Sequence, residues 1–192
     1  YRQTRQLLYS AIEQSGRGNL EKAIEVAQQA LVDDKESFPV KRFLSQMYFL
    51  KAVKENGNVE VFQRAIDLNP DNYAAYTGLL HAYLSSQTDS SLQRETIKKA
   101  QELVNTGKER FPWSGEILMD EAILATINKE DEKTEELLLK AKELEPENSL
   151  IHNSLGYLYV SRGKNDLAVK EFKESLALDP NQPDIKAVIY GD

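Results

Sequence analysis

Residues 149–182 read SLIHNSLGYLYVSRGKNDLAVKEFKESLALDPNQ, and this stretch decides the fold. Its apolar residues recur at helical spacing on either side of Arg162-Gly163-Lys164-Asn165, so it reads as two amphipathic helices joined by a turn. The glycine supplies the φ > 0 conformation that ends the first helix. Small Gly156 and Ala168 let the paired helices approach to roughly 8 to 10 Å, and Leu155, Tyr159 and Phe172 fill the space beside them. Pro180 cannot continue the second helix, because it lacks an N–H and restricts the residue before it.

The same punctuation recurs upstream. Prolines follow a polar or acidic helix end at Pro70, Pro112, Pro146 and Pro180, with separations of 42, 34 and 34 residues. A fixed period of this length is the signature of stacked helical repeats. One hairpin cannot bury both of its faces, so three or more must stack.

Residues 149–182 resemble the tetratricopeptide repeat (TPR) family. With Ser149 as position 1, Leu155, Gly156, Tyr159, Ala168, Phe172 and Pro180 fall at the signature positions 7, 8, 11, 20, 24 and 32. His152 stands where the family prefers an aromatic residue, and Ser175 where it prefers alanine. The resemblance implies an all-α, right-handed α-solenoid of about five stacked helix-turn-helix repeats.

The repeats tile as 4–37, 38–72, 73–114, 115–148 and 149–182, with 183–192 a partial helix or cap, in a single domain spanning 1–192. The first keeps Ala11, Ala23, Ala27 and Ala30, with Gly18-Asn19 at its turn. In the second, Leu44, Ser45 and Tyr48 are in register from the front and Phe62, Ala65 and Pro70 from the back, which one inserted residue reconciles. The third carries eight extra residues around Ser85 to Ser91. The fourth keeps Ala122, Leu138, Ala141 and Pro146 but has Glu121 at position 7 and Thr134 at position 20. The missing initiator methionine and the start of a further first helix at Pro183 lead to the expectation of a segment cut from a longer repeat array.

Composition narrows the function. Of 192 residues 41% are apolar and 29% charged, with no cysteine, so thiolate nucleophiles, disulfides and cysteine zinc sites are absent. The net charge of −7 repels phosphate backbones and argues against a nucleic-acid partner. No apolar run approaches the roughly 18 residues of a membrane span, so no membrane insertion of this segment is expected.

No cofactor, metal site or catalytic residue is expected either. The two histidines, His81 and His152, lack further ligands at helical spacing. The run from Lys129 to Glu136 lacks the alternate ligands and central glycine of a calcium loop. There is no phosphate-binding glycine loop, no Gly-x-Ser-x-Gly pattern and no plausible Ser, His, Asp grouping. The reading is therefore non-enzymatic.

In the TPR family a concave groove is lined by first-helix positions. The resemblance carries these onto Arg42, Gln46, Thr77, His81, Met119, Ile123, Ile127, Asn153, Tyr157 and Val160. The face is weakly charged and becomes apolar toward the C-terminal end, which suits an amphipathic or apolar segment of a protein or peptide partner. The subset that grips a chaperone C-terminal carboxylate is disfavoured, since Gly78, Glu116 and Asp120 stand where that clamp needs asparagine, lysine and arginine.

The fourth repeat sets four lysines against eleven carboxylates, an excess equal to the net charge of the chain. A solvated face is its ordinary explanation; a docking patch for a basic partner is the sharper one. The reading is an interaction scaffold or adaptor segment. The alternatives are a self-associating repeat module, hence a homo-oligomer, and a regulatory region attached to a catalytic domain.

Overall fold

The computed structural model describes residues 2–85 and 90–191, with side chains for all of these except 90–92. Every regular element among them is an α-helix. They fall into two compact units, Tyr1–Gln87 and Thr88–Asp192.

The first unit holds α1 (Arg2–Gly16), α2 (Leu20–Asp33), α3 (Phe38–Lys54), α4 (Val59–Leu68) and α5 (Tyr73–Ser85). α1 pairs with α2 and α3 with α4, and α2 packs on α3 and α4 on α5. Close pairing follows from small side chains: Ala11 of α1 and Ala23, Ala27 and Ala30 of α2 are all fully buried. In the next hairpin Ser45 is buried, and its hydroxyl donates to the Ala65 carbonyl at 2.6 Å while accepting from Asn72 at 2.8 Å. A Cβ on Gly78 of α5 would lie 2.6 Å from the Phe62 ring of α4, so only hydrogen fits there.

The residue inserted in the second repeat lies in its turn, and the turn has also moved. α3 is 17 residues long and α4 only 10, against 13 and 14 for the last hairpin. One helical turn has passed from the second helix to the first. Asn56 (φ 57°) and Gly57 (φ 85°) then reverse the chain in the left-handed region.

The second unit holds α6 (Ser90–Arg110), α7 (Gly115–Ile127), α8 (Asp131–Leu144), α9 (Ser149–Ser161), α10 (Asn165–Leu178) and α11 (Pro183–Tyr190). α7 pairs with α8 and α9 with α10; α6 packs on α7, α8 on α9, and α11 on α10. Its core joins Met119, Ala122 and Leu138 to Ile151, Leu155, Ala168, Phe172 and Ile185. The third repeat of the sequence reading has its first helix in one unit and its second in the other. Part of its eight-residue insertion, 86–89, lies outside the described residues.

The joints between hairpins contain the four prolines. After them Asn72, Ser114 and Asn148 cap α5, α7 and α9, accepting hydrogen bonds from the backbone N–H of Ala75, Ile117 and Leu150. Such a cap satisfies a donor the helix itself leaves unpaired.

Among the described residues, the turns inside hairpins share one geometry. Gly163 (φ 68°) donates to the Val160 carbonyl at 3.0 Å and the following Lys164 N–H to Tyr159 at 2.9 Å. Gly18 (φ 80°) and Asn19 repeat the pattern with Ser15 and Gln14. Between α7 and α8 the glycine is replaced by Lys129 (φ 61°), whose N–H donates to Thr126 while that of Glu130 donates to Ala125. A lysine held left-handed costs on the order of 1 kcal/mol that glycine would not.

The fourth repeat departs from the apolar pattern at Glu121 and Thr134, and both of these buried groups find partners. Glu121, 6% exposed, pairs with Lys108 of α6 at 2.7 Å. The buried Thr134 hydroxyl donates to Glu130 O at 3.1 Å and lies 3.3 Å from the Thr126 hydroxyl. His152 occupies its aromatic position buried between helices. Its Nδ1 is 2.7 Å from the Glu171 carboxylate and its Nε2 2.9 Å from the Pro146 carbonyl. Lys142 of α8 donates to both oxygens of Glu171, at 2.8 and 2.9 Å. Burial alone would raise the Glu171 carboxyl, but these hydrogen bonds outweigh it and hold the group below the ordinary carboxylate value.

Candidate partner-binding face

The candidate residues lie on first helices, and each unit presents its own set. In the first unit Arg42 and Gln46 are exposed on α3. With Leu8 and Ile12 of α1 and Phe38, Phe43 and Tyr73 they line an open groove of about 820 Å³. Thr77 is half-buried on α5 and its hydroxyl donates to Ala74 O at 3.4 Å. His81 follows one turn later and is exposed.

In the second unit Ile123 and Ile127 of α7 are exposed, as are Leu150, Tyr157 and Val160 of α9. α7 and α9 pack on each other, so these side chains belong to one surface. The Tyr157 ring stands edge-on to Phe172, with centroids 5.1 Å apart at 72°, which anchors it to the core while half of it faces solvent. Asn153 is half-buried and donates to the Gln182 amide oxygen in the joint before α11, which ties α9 to that joint.

Met119 sits differently. It is 8% exposed and packs in the core cluster with Ile151 and Leu155. α9 covers that side of α7, so Met119 supports the surface from beneath and offers a partner little area.

Two groups at this face were not among the candidates. Asp120 neighbours Ile123 on α7 and is only 5% exposed. Burial, with a smaller contribution from the Glu116 carboxylate, pushes its carboxyl up to about 8. Glu145 closes α8, and its carboxylate accepts from the backbone N–H of Gly115 at 2.7 Å and of Glu116 at 3.4 Å, capping α7 of the same hairpin. A Cβ on Gly115 would meet Ala141 O at 2.6 Å, so glycine is required for that approach. The sequence signal for this cap is the glycine at the first position of α7.

Among the described residues no group of three or more His, Cys, Asp or Glu could hold a metal ion, and no helix is long and apolar enough to cross a membrane.

Residues 151–182 match the tetratricopeptide repeat family. A thermophilic TPR protein of Thermus thermophilus is 19% identical, over 98% of this chain and 97% of that one, with a TM-score of 0.63. MamA from Desulfovibrio magneticus RS-1 is 17% identical, over 94% of this chain and 97% of that one, with a TM-score of 0.65. No curated protein sequence matches the chain. The resemblance read from the sequence therefore holds: residues 151–182 match a tetratricopeptide repeat, and the fold is the all-α fold of paired helices found in TPR structures.

Proposed function

We propose that this chain is a non-catalytic protein-interaction segment of a larger protein or assembly, taking a peptide or partner segment on the first-helix faces. The observation that carries this is the exposed apolar surface of Ile123, Ile127, Leu150, Tyr157 and Val160 on two helices packed against each other. A surface of this kind suits an amphipathic helix or an extended apolar segment. Arg42, Gln46, Thr77 and His81 offer a more polar counterpart on the first unit.

Affinity capture with the 192-residue chain tests this, using wild type and an Ile123→Glu, Tyr157→Glu double variant. The partner is retained by the first and lost by the second at unchanged helicity; equal retention by both sinks the assignment of the face.

Self-association is favoured by Val188 and Tyr190 of α11, which are 52% and 64% exposed. Light scattering in which the mass rises with concentration would support that reading. If residues 1–192 form one repeat domain, a single calorimetric unfolding transition is expected rather than two.

A further inference from the structure

Three carboxylates in the second unit are deeply buried, and two of them are paired. Glu121 meets Lys108 at 2.7 Å, and Glu171 meets Lys142 and His152. Asp120 is as buried as either, at 5% exposed, yet the influences acting on it are burial and the like charge of Glu116 one helical turn back. Neither a hydrogen bond nor a cation from the described residues acts on the Asp120 carboxyl itself. A buried carboxyl without a partner costs stability that an apolar residue of similar size would not. A group kept in that condition beside an exposed apolar surface is what a site awaiting a charged ligand looks like.

The placement on α7 agrees. Glu116, Asp120, Ile123 and Ile127 are spaced four, three and four residues apart, so they share one helix face. The face runs from two carboxylates at its N-terminal end to two exposed isoleucines at the other, with Tyr157 and Val160 of the packed α9 extending the apolar end. We propose that the partner segment brings a lysine or arginine to Asp120 while its apolar side chains cover Ile123, Ile127, Tyr157 and Val160. This rests on the interaction reading above and specifies the chemistry of the segment that the face accepts.

Two consequences distinguish a cationic ligand from an apolar one. The first is spacing. Asp120 and Ile127 are about 10 Å apart along the helix axis, so the partner's basic residue stands about three residues from its apolar anchor if extended and about seven if helical. The second is proton linkage. At neutral pH the Asp120 carboxyl holds its proton, and a cation at the site favours the ionised form, so binding expels that proton. Affinity therefore rises with pH between 6 and 8, by at most about tenfold per unit.

The experiment is selection of a displayed library of random 16-residue peptides on the 192-residue chain, followed by calorimetry of the recovered peptides. Those that lose binding to the Ile123→Glu, Tyr157→Glu variant are expected to carry Lys or Arg at a fixed distance from an apolar pair. Replacing that residue by Gln weakens them tenfold or more. Their affinity rises severalfold from pH 6 to 8 with net proton release, and Asp120→Asn removes both the pH dependence and the preference for Lys over Gln. Face-dependent peptides that lack a basic residue, or bind within twofold after Lys→Gln, overturn the cation site and leave the interaction face standing. Recovery only of peptides indifferent to Ile123 and Tyr157 removes the face and the cation site together.

Discussion

A double-mutant cycle on Gly156 and Phe172 probes the packing on which the repeat pattern depends. Phe172 is fully buried, and a Cβ built on Gly156 would lie 2.4, 2.6 and 2.8 Å from three atoms of its ring. Those distances are well inside contact, and the ring cannot retreat, because its other neighbours are the core of the same unit and the Tyr157 ring.

Phe172→Ala should cost about 3 to 5 kcal/mol, the transfer and cavity cost of removing a buried aromatic ring. Gly156→Ala gains about 1 kcal/mol of helix propensity and loses roughly 1 to 3 from overpacking, for a net loss of about 1. In the double variant the new methyl enters the space the ring has left. The alanine then regains its propensity, and the two changes together cost about 2 kcal/mol less than their sum. Urea unfolding followed by far-ultraviolet circular dichroism measures each corner. Additivity within about 0.5 kcal/mol would refute the claim that Gly156 is small because Phe172 lies against it.

Three further outcomes follow from single groups. Lys129→Gly should raise stability by about 1 kcal/mol, since it relieves a left-handed lysine at the position where Gly18 and Gly163 stand in other hairpins; a loss on urea unfolding would contradict this. Asp120, pushed up to about 8, holds in the folded state a proton that the unfolded chain gives up near pH 4. Stability should therefore fall between about pH 4 and 8, by at most about 1.4 kcal/mol per unit, and Asp120→Asn should flatten that slope in melting curves across the range. Glu171 is held low by Lys142 and His152 against the effect of burial, so its contribution is present above the ordinary carboxylate range and lost as the pH falls below it. Glu171→Gln should cost about 3 kcal/mol at pH 7, with the difference from wild type shrinking in acid; a constant difference would deny the ion pair.

Much of the packing was legible because it depends on side-chain size at fixed spacing. Ala11, Ala23, Ala65, Ala141, Gly156 and Ser175 announce close approach by being small, and each is buried. The extra residue of the second repeat was visible as a register mismatch between Ser45 and Ala65. The compensating shift of a whole helical turn was not, because moving four residues between paired helices leaves both apolar faces in phase.

Interactions between residues far apart in the sequence carried little signal. Lys142 and Glu171 are 29 residues apart, and Gly115 and Glu145 30, and nothing local in the charge pattern selects these pairs over their neighbours. His152 could be placed in the core by its repeat position, but its two oxygen partners could not. On the candidate face, first-helix spacing placed Ile123, Ile127, Tyr157 and Val160 on exposed surface. It could not show that α9 covers Met119, nor that Asp120 goes unpaired while Glu121 beside it finds Lys108.

The most direct test of the account is amide hydrogen exchange, read by mass spectrometry, on the chain alone and with its captured partner bound. Slowed exchange confined to first helices, with α7 (115–127) and α9 (149–161) foremost, is the predicted footprint. Protection of α8 and α10 with α7 and α9 unchanged would contradict it.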